Sequence, residues 1–377
     1  MTPHQRKDTA IVSKLLEWFA QNARDLPWRR THDPYAIWVS EIMLQQTQVK
    51  TVLPFWERWM RELPTVEAAA RASSEKIHKL WEGLGYYTRV RNLQKAAQLI
   101  LDRHGGKFPK RFEDIMALPG IGRYTAGAIS SIAFNQPAPI LDGNVIRVLT
   151  RLFGITENPR EKKTNQRLWQ IADELVITAN KVERSKSRNC SHLNQSLMEL
   201  GALVCTPRNP QCIACPVKKI CVALNENRVA ELPNLGKREK ATARTFVAFM
   251  VERDGQFLVR QRPSGVVNAH LWEFPNVEIL NQIRDGNGHA SFAQAAKELG
   301  IEFKKAKPIC TVKHSITRYR MTLEAFAVQT NKAPRISDAV WLPYSQLESL
   351  AFTSAHRKIV SAITAEAPKA PRFLRQD

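Results

Sequence analysis

The sequence predicts a multidomain protein in which an all-α domain precedes an α+β domain. At 377 residues the chain exceeds the size of one typical core. Apolar residues recur three and four positions apart up to about residue 225, the period of helices packed on one face. After about residue 244, short apolar runs rich in β-forming residues replace that pattern. The polar, basic, turn-rich stretch 226–243 between them is interpreted as a linker.

The predicted helical domain covers residues 1–225. Short proline or glycine sequences, such as Leu63-Pro64 and His104-Gly105-Gly106, separate its helices. Apolar residues at helical spacing occur at 11–16, 37–52, 77–81, 93–101 and 145–152.

The second domain is predicted at 244–366, with a tail at 367–377. Two strands, 245–251 and 256–261, flank Arg253-Asp254-Gly255, which is a hairpin signal. Further strand character at 309–312, 318–328 and 339–342, and helices near 292–299 and 355–365, complete an α+β module.

The charge balance indicates the kind of partner. Lysine and arginine total 56 against 35 acidic residues, a net charge of +21, which favours binding to a polyanion such as nucleic acid. The chain contains no apolar run of 18 residues, and its first ten residues lack the apolar segment of a signal peptide. We therefore expect an intracellular monomer rather than a membrane protein, in the cytoplasm or nucleoid if the source is bacterial.

Four of the six cysteines lie within 17 residues, which indicates a metal site in a reducing compartment. Only one pair of them is as close as the paired ligands of a typical structural zinc site. The uneven spacing favours a cubane iron–sulfur cluster, whose irons lie at separate corners, and leaves zinc open. The predicted ligands are Cys205, Cys212, Cys215 and Cys221, whereas Cys190 and Cys310 are interpreted as ordinary buried thiols.

The segment 118–127 (LPGIGRYTAG) lies between two predicted helices. Gly120 and Gly122 allow backbone turns that side chains would block. The freed backbone amides, with the start of the following helix, can bind a DNA phosphate without recognising the base sequence.

Two carboxylates stand out as candidates for acid–base and electrostatic work. Glu41, if helical, shares a face with Ile37, Trp38 and Leu44, and poor solvation there raises the pKa of a carboxyl group. Asp142 precedes an apolar helix and is placed to cap its first turn.

The cysteine spacing and the segment 118–127 resemble the endonuclease III-like, helix–hairpin–helix superfamily of DNA glycosylases. Within it, residues 40–49 (SEIMLQQTQV) resemble the motif of the MutY family of adenine DNA glycosylases. The resemblance covers about residues 10–365. It implies a 4Fe–4S cluster on the four cysteines. It also implies double-stranded DNA as the partner, with adenine mispaired with 8-oxoguanine or guanine as the substrate in base excision repair.

The resemblance also implies how the catalytic residues divide the work. Glu41 protonates adenine N7, and Asp142 stabilises the oxocarbenium-like sugar that forms as the glycosidic bond breaks. Tyr124, with Asn144, orients Asp142 and the sugar. Because Tyr124 stands where endonuclease III carries its lysine nucleophile, the implied enzyme is a monofunctional glycosylase.

Further residues take roles only through this resemblance. The adenine pocket is lined by Trp28, Arg29, Leu44 and the segment Asn194-Gln195. The loop with Leu84 and Tyr86 wedges beside the lesion, and Gln45 and Gln46 fill the space that the extruded base leaves in the DNA helix. The residues expected to contact DNA or the lesion are Gln45, Gln46, Leu84, Tyr86, Gly120 and Gly122.

The second domain resembles the Nudix-like domain of this family. It keeps 271–275 (LWEFP) but lacks the acid-rich helix of active Nudix hydrolases, since the corresponding stretch 296–300 has one acid. The family's Phe-Ser-His turn, which contacts 8-oxoguanine, corresponds here to 316–318 (ITR), so Thr317 is the remaining candidate for lesion contact.

Two other readings remain open from the sequence. One is a bifunctional lyase like endonuclease III that acts on oxidised pyrimidines. The other is a non-catalytic DNA-binding protein with a structural cluster. The missing lysine and the second domain count against the first, and the contexts of Glu41 and Asp142 count against the second.

Overall fold

The computed structural model describes residues 3–182, 188–236, 241–279, 292–316, 318–332, 334 and 336–365. The chain forms two compact units, each described here by itself. One consists of Met1–Ala72 and Arg91–Arg238, and the other of Ser73–Val90 and Glu239–Asp377. The predicted fold class is confirmed: the first unit is helical, and the second contains a mixed sheet with helices.

Up to residue 225, the secondary-structure elements among the described residues are all helices, as the apolar period predicts. Short 3-10 turns occur at Pro27–Arg29, Cys212–Ala214 and Lys218–Ile220. The α-helices are α1 (Pro3–Asn22), α2 (Pro34–Leu44), α3 (Val49–Glu62), α4 (Val66–Arg71), α5 (Ser74–Trp81), α6 (Thr88–His104), α7 (Phe112–Met116), α8 (Arg123–Phe134), α9 (Gly143–Phe153), α10 (Lys162–Lys181), α11 (Asn189–Leu203) and α12 (Val222–Asn225).

Local capping sets the ends of the helices that carry the candidate site. α2 begins after Asp33, whose side chain accepts a hydrogen bond from the Tyr35 amide. α9 begins after Asp142, whose carboxylate accepts from the Val145 amide at 2.8 Å, and it ends at Gly154 with φ of 66°. The expected capping role of Asp142 is therefore present.

The helix α11 lies at the centre of the helical unit and packs against α1, α8, α9 and α10. Its buried Asn194 donates both to Ser131 Oγ and to the Ala138 carbonyl, at 2.8 Å each. At Gly127 of α8, an added Cβ would lie 2.1 Å from the Pro139 carbonyl oxygen. This close approach brings the segment before α9 against α8, and so positions Asp142.

The turn between α7 and α8 needs only one of its two glycines for conformational reasons. Gly120 has φ of 77°, and an added Cβ would lie 2.6 Å from Asn92 Cβ. Gly122 is the extended N-cap residue of α8, with φ of −100° and no atom within 4 Å of an added Cβ. The expectation that Gly122 permits a turn that side chains would block is therefore wrong.

The second unit is built on one mixed sheet in the order β3-β2-β1-β6-β5, with β4 and β7 paired to β1 and β2. β1 runs parallel to β6, and its other partners are antiparallel. The elements are β1 (Thr242–Arg253), β2 (Gln256–Gln261), β3 (Trp272–Glu273), β4 (Asn276–Ile279), α13 (Phe292–Glu298), β5 (Lys305–Ile316), β6 (Tyr319–Gln329), β7 (Ala339–Pro343), α14 (Tyr344–Leu347) and α15 (Ser354–Ala365).

Both faces of this sheet are covered, which explains the unbroken apolar run in β1. Val247 and Phe249 pack on one face with Ala295 of α13, whereas Ala248 packs on the other with Ile359 of α15. The predicted hairpin is present: Asp254 and Gly255 have φ of 53° and 73°, as a type I′ turn requires.

The structure differs from the sequence prediction at several boundaries and in three short elements. β1 begins at Thr242, inside the expected linker 226–243, because Thr242 pairs with Tyr319 of β6. β5 spans Lys305–Ile316, beyond the predicted 309–312. Residues 73–90, which include α5 and the first residues of α6, belong to the second unit. The pattern did not predict β3, β4 or α14, which have two to four residues each and are too short to show a period.

In the described part of the chain, no helix is both long and apolar enough to cross a membrane.

Candidate active site of the helical unit

Glu41 is buried in α2, on the side where this helix packs against α8. Its neighbours Ile37 and Trp38 are fully buried, as the sequence predicts. Burial is the largest influence and raises the pKa of Glu41 to about 7; the hydrogen bond from Tyr124 and the charge of Arg29 oppose the rise, and the negative charge of Asp142 adds to it. In the free protein a substantial fraction of Glu41 is therefore protonated near neutral pH, where an ordinary glutamate is ionised.

Tyr124 contacts Glu41 rather than Asp142. Its hydroxyl donates to Glu41 Oε2 at 2.7 Å and lies 3.3 Å from Met198 Sδ. Burial, together with the nearby carboxylates of Glu41 and Asp142, raises the pKa of Tyr124 well above its ordinary value. Tyr124 therefore contacts Glu41 and lies close enough to Asp142 to be influenced by its charge, and its role in orienting Asp142 and the sugar stays a prediction.

Asn144 holds Asp142 as expected. The Asn144 Nδ2 group donates to Asp142 Oδ2 at 2.9 Å, while the Val145 amide donates to the other oxygen. Arg147 extends this arrangement: its Nη2 donates to Asn144 Oδ1 at 2.8 Å and its Nε donates to the Cys205 carbonyl at 2.7 Å. The Asp142 carboxylate is thus fixed through α9 to the first cysteine of the cluster sequence.

Glu199 is a buried acid that the sequence prediction missed. It is 1% exposed and accepts hydrogen bonds from Arg24 and Arg29, with Nη2 to Oε2 distances of 2.7 and 2.9 Å. Burial alone would raise the pKa of Glu199, but these hydrogen bonds outweigh it and bring the pKa to about 2. A signal was present, since Glu199 interrupts an apolar stretch of α11 as Glu41 does in α2.

The residues expected to line an adenine pocket have different surroundings in the structure. Arg29 is tied to Glu199 and lies close enough to lower the pKa of Glu41. Trp28 is buried and packs edge-on against Trp56. Gln195 is buried, and its Nε2 group donates a hydrogen bond to Ser191 Oγ. Leu44 is half-buried at the end of α2. Asn194, by contrast, holds α8 and the chain at Ala138, as described above.

The four predicted metal ligands converge at the end of α11. Burial, together with the nearby thiols of Cys205, Cys212 and Cys221, raises the pKa of Cys215 to about 11. Arg151 of α9 donates from Nη1 to Cys205 Sγ at 3.3 Å. Across the described residues, no three histidine, cysteine or acidic side chains lie close enough together to hold a single metal ion.

The two expected buried thiols differ in their surroundings. Cys190 is fully buried, and burial raises its pKa to about 11, whereas Cys310 is partly exposed on β5.

The predicted DNA-contact residues divide between the two units. In the helical unit, Gln45 ends α2 with its amide 3.4 Å from Thr125 Oγ1, and Gln46 is exposed with φ of 56°. Leu84 and Tyr86 belong to the second unit; Leu84 is buried, and Tyr86 is 42% exposed. Thr317 lies outside the described residues.

In the second unit the acid of the 271–275 sequence has a structural role. Glu273 is 2% exposed and ion-paired to Arg260 Nε at 2.9 Å and to Arg262. Burial opposes its ionisation, but the charges of Arg262, His356 and Arg260 bring the pKa of Glu273 below its ordinary value. Helix α13 carries one acid, Glu298.

The helical unit therefore places a carboxyl group of raised pKa, Glu41, close enough to the fixed Asp142 carboxylate for their charges to interact. Glu41 can deliver a proton, and Asp142 can stabilise positive charge nearby. Cleavage of a glycosidic bond needs this combination of one carboxylic acid that donates a proton and one ionised carboxylate.

Comparison with known proteins agrees with both units. Residues 39–174 match the HhH-GPD superfamily of base excision DNA repair proteins, and residues 246–362 match the NUDIX domain. Among solved structures, a thermostable thymine-DNA glycosylase is similar with a TM-score of 0.53 and 29% identity, over 60% of this chain and 100% of that one.

Curated relatives extend over most of the chain. An adenine DNA glycosylase of Rattus norvegicus is 34% identical over 93% of this chain and 77% of its own length. That of Homo sapiens is 33% identical over 96% of this chain and 75% of its own. On this similarity, which includes Glu41, Asp142 and the cysteine sequence in its span, the chain belongs to the adenine DNA glycosylase family.

Proposed function

We propose that this protein removes adenine mispaired with 8-oxoguanine or guanine from duplex DNA, acting as a monomeric, monofunctional glycosylase. The proposal rests on membership of the adenine DNA glycosylase family and on one observation of the site. That observation is a buried Glu41, with a pKa of about 7, close to an Asp142 carboxylate held by Asn144 and the start of α9.

The two acids act on opposite sides of the bond that breaks. Glu41 donates its proton to adenine N7, so that the base leaves as a neutral molecule with the bonding electron pair. The positive charge that develops on the sugar is stabilised by the fixed Asp142 carboxylate. Water then adds to the anomeric carbon and completes hydrolysis. Tyr124, donating to Glu41 Oε2, holds the carboxyl group in place for proton transfer.

The residues of α8 support a monofunctional reaction. This helix, RYTAGAISSIAF, contains no lysine, and the hydroxyl of Tyr124 is engaged by Glu41. A Schiff base with the sugar needs a lysine amine, so no such intermediate forms on this helix.

The charge of the chain and the second unit support a DNA substrate with a damaged base. A net charge of +21 favours a polyanion. In the second unit, Glu273 is neutralised by two arginines and α13 offers one acid, an arrangement unsuited to the magnesium-binding acids of a pyrophosphatase. We propose that this unit recognises the oxidised base, with Thr317 as a contact.

We also propose a 4Fe–4S cluster on Cys205, Cys212, Cys215 and Cys221. The fit rests on the donor set: Cys215 lies close enough to the other three thiols for them to raise its pKa, and four thiolates are the ligands that a 4Fe–4S cluster takes. When bound, the cluster supplies a rigid cross-link for the loop after α11. The Asp142–Asn144–Arg147 arrangement then depends on that loop through the Cys205 carbonyl.

The decisive experiment is a strand-nicking assay on a labelled duplex with one adenine opposite 8-oxoguanine. We expect full-length protein to produce alkali-labile abasic sites at that adenine and no nicking without alkali. Borohydride should trap little covalent adduct. A matched duplex with thymine opposite adenine is the control. Nicking without alkali, or excision of an oxidised pyrimidine instead, contradicts the proposal and favours a lyase, whereas binding without any excision favours a non-catalytic protein.

The pKa of Glu41 predicts a pH dependence. Because the protonated form delivers the proton, the single-turnover rate should be highest below pH 7 and fall about tenfold per unit as pH rises beyond it. Glu41→Gln should lower the rate roughly a hundred- to ten-thousandfold, the usual range for losing a general acid. Glu62→Gln, on an exposed part of α3, should change neither the rate nor its pH profile. Ordinary turnover by Glu41→Gln would refute the assignment.

Asp142→Asn should separate charge from capping. Asparagine caps a helix as well as aspartate does, so the fold and mispair binding should be retained. The rate should fall at least about a hundredfold, because stabilisation of the sugar cation is lost. Single-turnover kinetics and a gel-shift titration measure the two quantities. Asp33→Asn, at the equivalent cap of α2, is the matched control and should leave the rate unchanged. Equal rates for both variants would leave Asp142 with a capping role only.

Metal analysis tests the cluster directly. Freshly purified protein should be brown and contain about four irons per chain. Cys215→Ser should lose iron and soluble yield, whereas Cys310→Ser, at a cysteine outside the group, should keep both. Stoichiometric zinc without iron or sulfide would show that the site is a zinc site.

A further inference from the structure

Glu82 occupies an unusual position between α5 and the loop 83–87. It is the C-cap residue of α5, and its side chain is 13% exposed. Its Oε1 accepts from Arg357 Nε at 2.7 Å and from the Phe352 amide at 3.0 Å. Its Oε2 accepts from Lys79 Nζ at 2.8 Å. A largely buried carboxylate thus joins residues about 270 positions apart within the second unit.

The partners of Glu82 are themselves held at the segment 348–357. Lys79 Nζ also donates to the Glu348 carbonyl at 2.6 Å and to the Leu350 carbonyl at 3.3 Å. Arg357 donates to the Leu350 carbonyl, and its guanidinium lies 5.2 Å from the centre of the Phe352 ring. We call this network of Lys79, Glu82, Arg357 and the backbone groups of 348–352 the Glu82 clasp.

The clasp is attached to the core of the second unit. Phe352 is fully buried, and its ring is stacked on Phe274 with centres 5.4 Å apart. Its backbone forms a bridge with Trp272 of β3. Glu82 is therefore anchored, through Phe352, to the packed core of the second unit.

The loop 83–87 has a fixed and strained backbone. Gly83 and Gly85 have φ of 106° and 70°, and Tyr86, which is not glycine, has φ of 48°. Trp81 Nε1 donates to the Gly85 carbonyl at 3.1 Å, and Arg89 Nη2 donates to the Leu84 and Gly85 carbonyls at 3.1 Å each. A strained backbone conformation persists only where many surrounding contacts hold it. Glu82 of the clasp directly precedes this loop, so the clasp can supply such contacts.

We propose that Glu82 is a positioning residue: through the clasp it fixes the DNA-probing loop 83–87 to the segment 348–357, so that discrimination between mispairs depends on this contact. The inference rests on the proposed function, in which Leu84 and Tyr86 probe the DNA. It adds to that function a link between two parts of the second unit. The segment 348–357, in the unit proposed to recognise the oxidised base, sets the orientation of the DNA-probing loop 83–87. Charge is essential to this link, since without the Glu82 carboxylate the Arg357 Nε and Phe352 amide groups lose the acceptor that they share.

Hydrogen exchange without DNA tests the structural part, independently of enzyme activity. Amides in peptides covering 83–90 should exchange about tenfold faster in Glu82→Gln than in the wild type, the size expected for losing a charge-assisted hydrogen bond. Arg357→Gln should have the same effect, and Arg357→Lys, which keeps the charge, should restore most of the protection. Glu67→Gln and Arg71→Gln, at an exposed ion pair of α4, are the matched controls and should leave these peptides unchanged.

Kinetics then test the functional part. Single-turnover rates are measured for adenine opposite 8-oxoguanine and opposite guanine, and their ratio gives the discrimination. Glu82→Gln and Arg357→Gln should each lower this ratio about three- to tenfold, and the double variant should be no worse than either alone. The α4 variants should leave the ratio at its wild-type value.

Several outcomes overturn the proposal. Unchanged exchange at 83–90, additive effects in the double variant, or an unchanged ratio would show that the clasp does not position the loop. Faster exchange across the whole chain with a lowered melting temperature would show that Glu82 only stabilises the fold. Failure of the wild type to excise adenine would instead refute the proposed function, while the exchange experiment would still decide whether the clasp holds the loop.

Discussion

A carboxyl group buried between two helices is the constraint on which the helical unit depends. Glu41 lies where α2 packs against α8, and removing its charge from water is the main reason that its pKa approaches 7. Burying a carboxyl group costs free energy unless it is protonated or hydrogen-bonded, and Tyr124 supplies the hydrogen bond. The close approach of α8 to Pro139, possible because residue 127 is glycine, then positions Asp142 near the same point.

The unit places acids of similar chemistry in different states by giving them different surroundings. Glu41 has one neutral hydrogen-bond donor and little contact with solvent, so it keeps its proton up to a pH of about 7. Glu199 is equally hidden from water but receives two arginines, so it is ionised far below neutral pH. Asp142 is held by an amide side chain and by the first turn of α9. A proton donor and a charge stabiliser can therefore coexist in one site.

The second unit uses buried carboxylates for attachment rather than for proton transfer. Glu273 joins β3 to β2 through Arg260, and Glu82 joins the loop after α5 to α15 through Arg357. Both are hydrogen-bonded ion pairs with limited exposure, in which the loss of one partner is far more costly than the net gain from the pair. Such contacts suit a module whose proposed work is to hold a probing loop in a defined orientation.

The sequence by itself determined the features that arise from neighbours along the chain. Helical and strand periods, the Asp142 cap, the Asp254-Gly255 turn and the cysteine spacing are local, and the family motif around Glu41 predicted a role for it. The domain order followed from the change in period. Only the tertiary structure decided which distant side chains meet. Tyr124 reaches Glu41 across 83 positions, and Arg357 reaches Glu82 across 275. Such pairs depend on how whole helices pack, which no local pattern encodes.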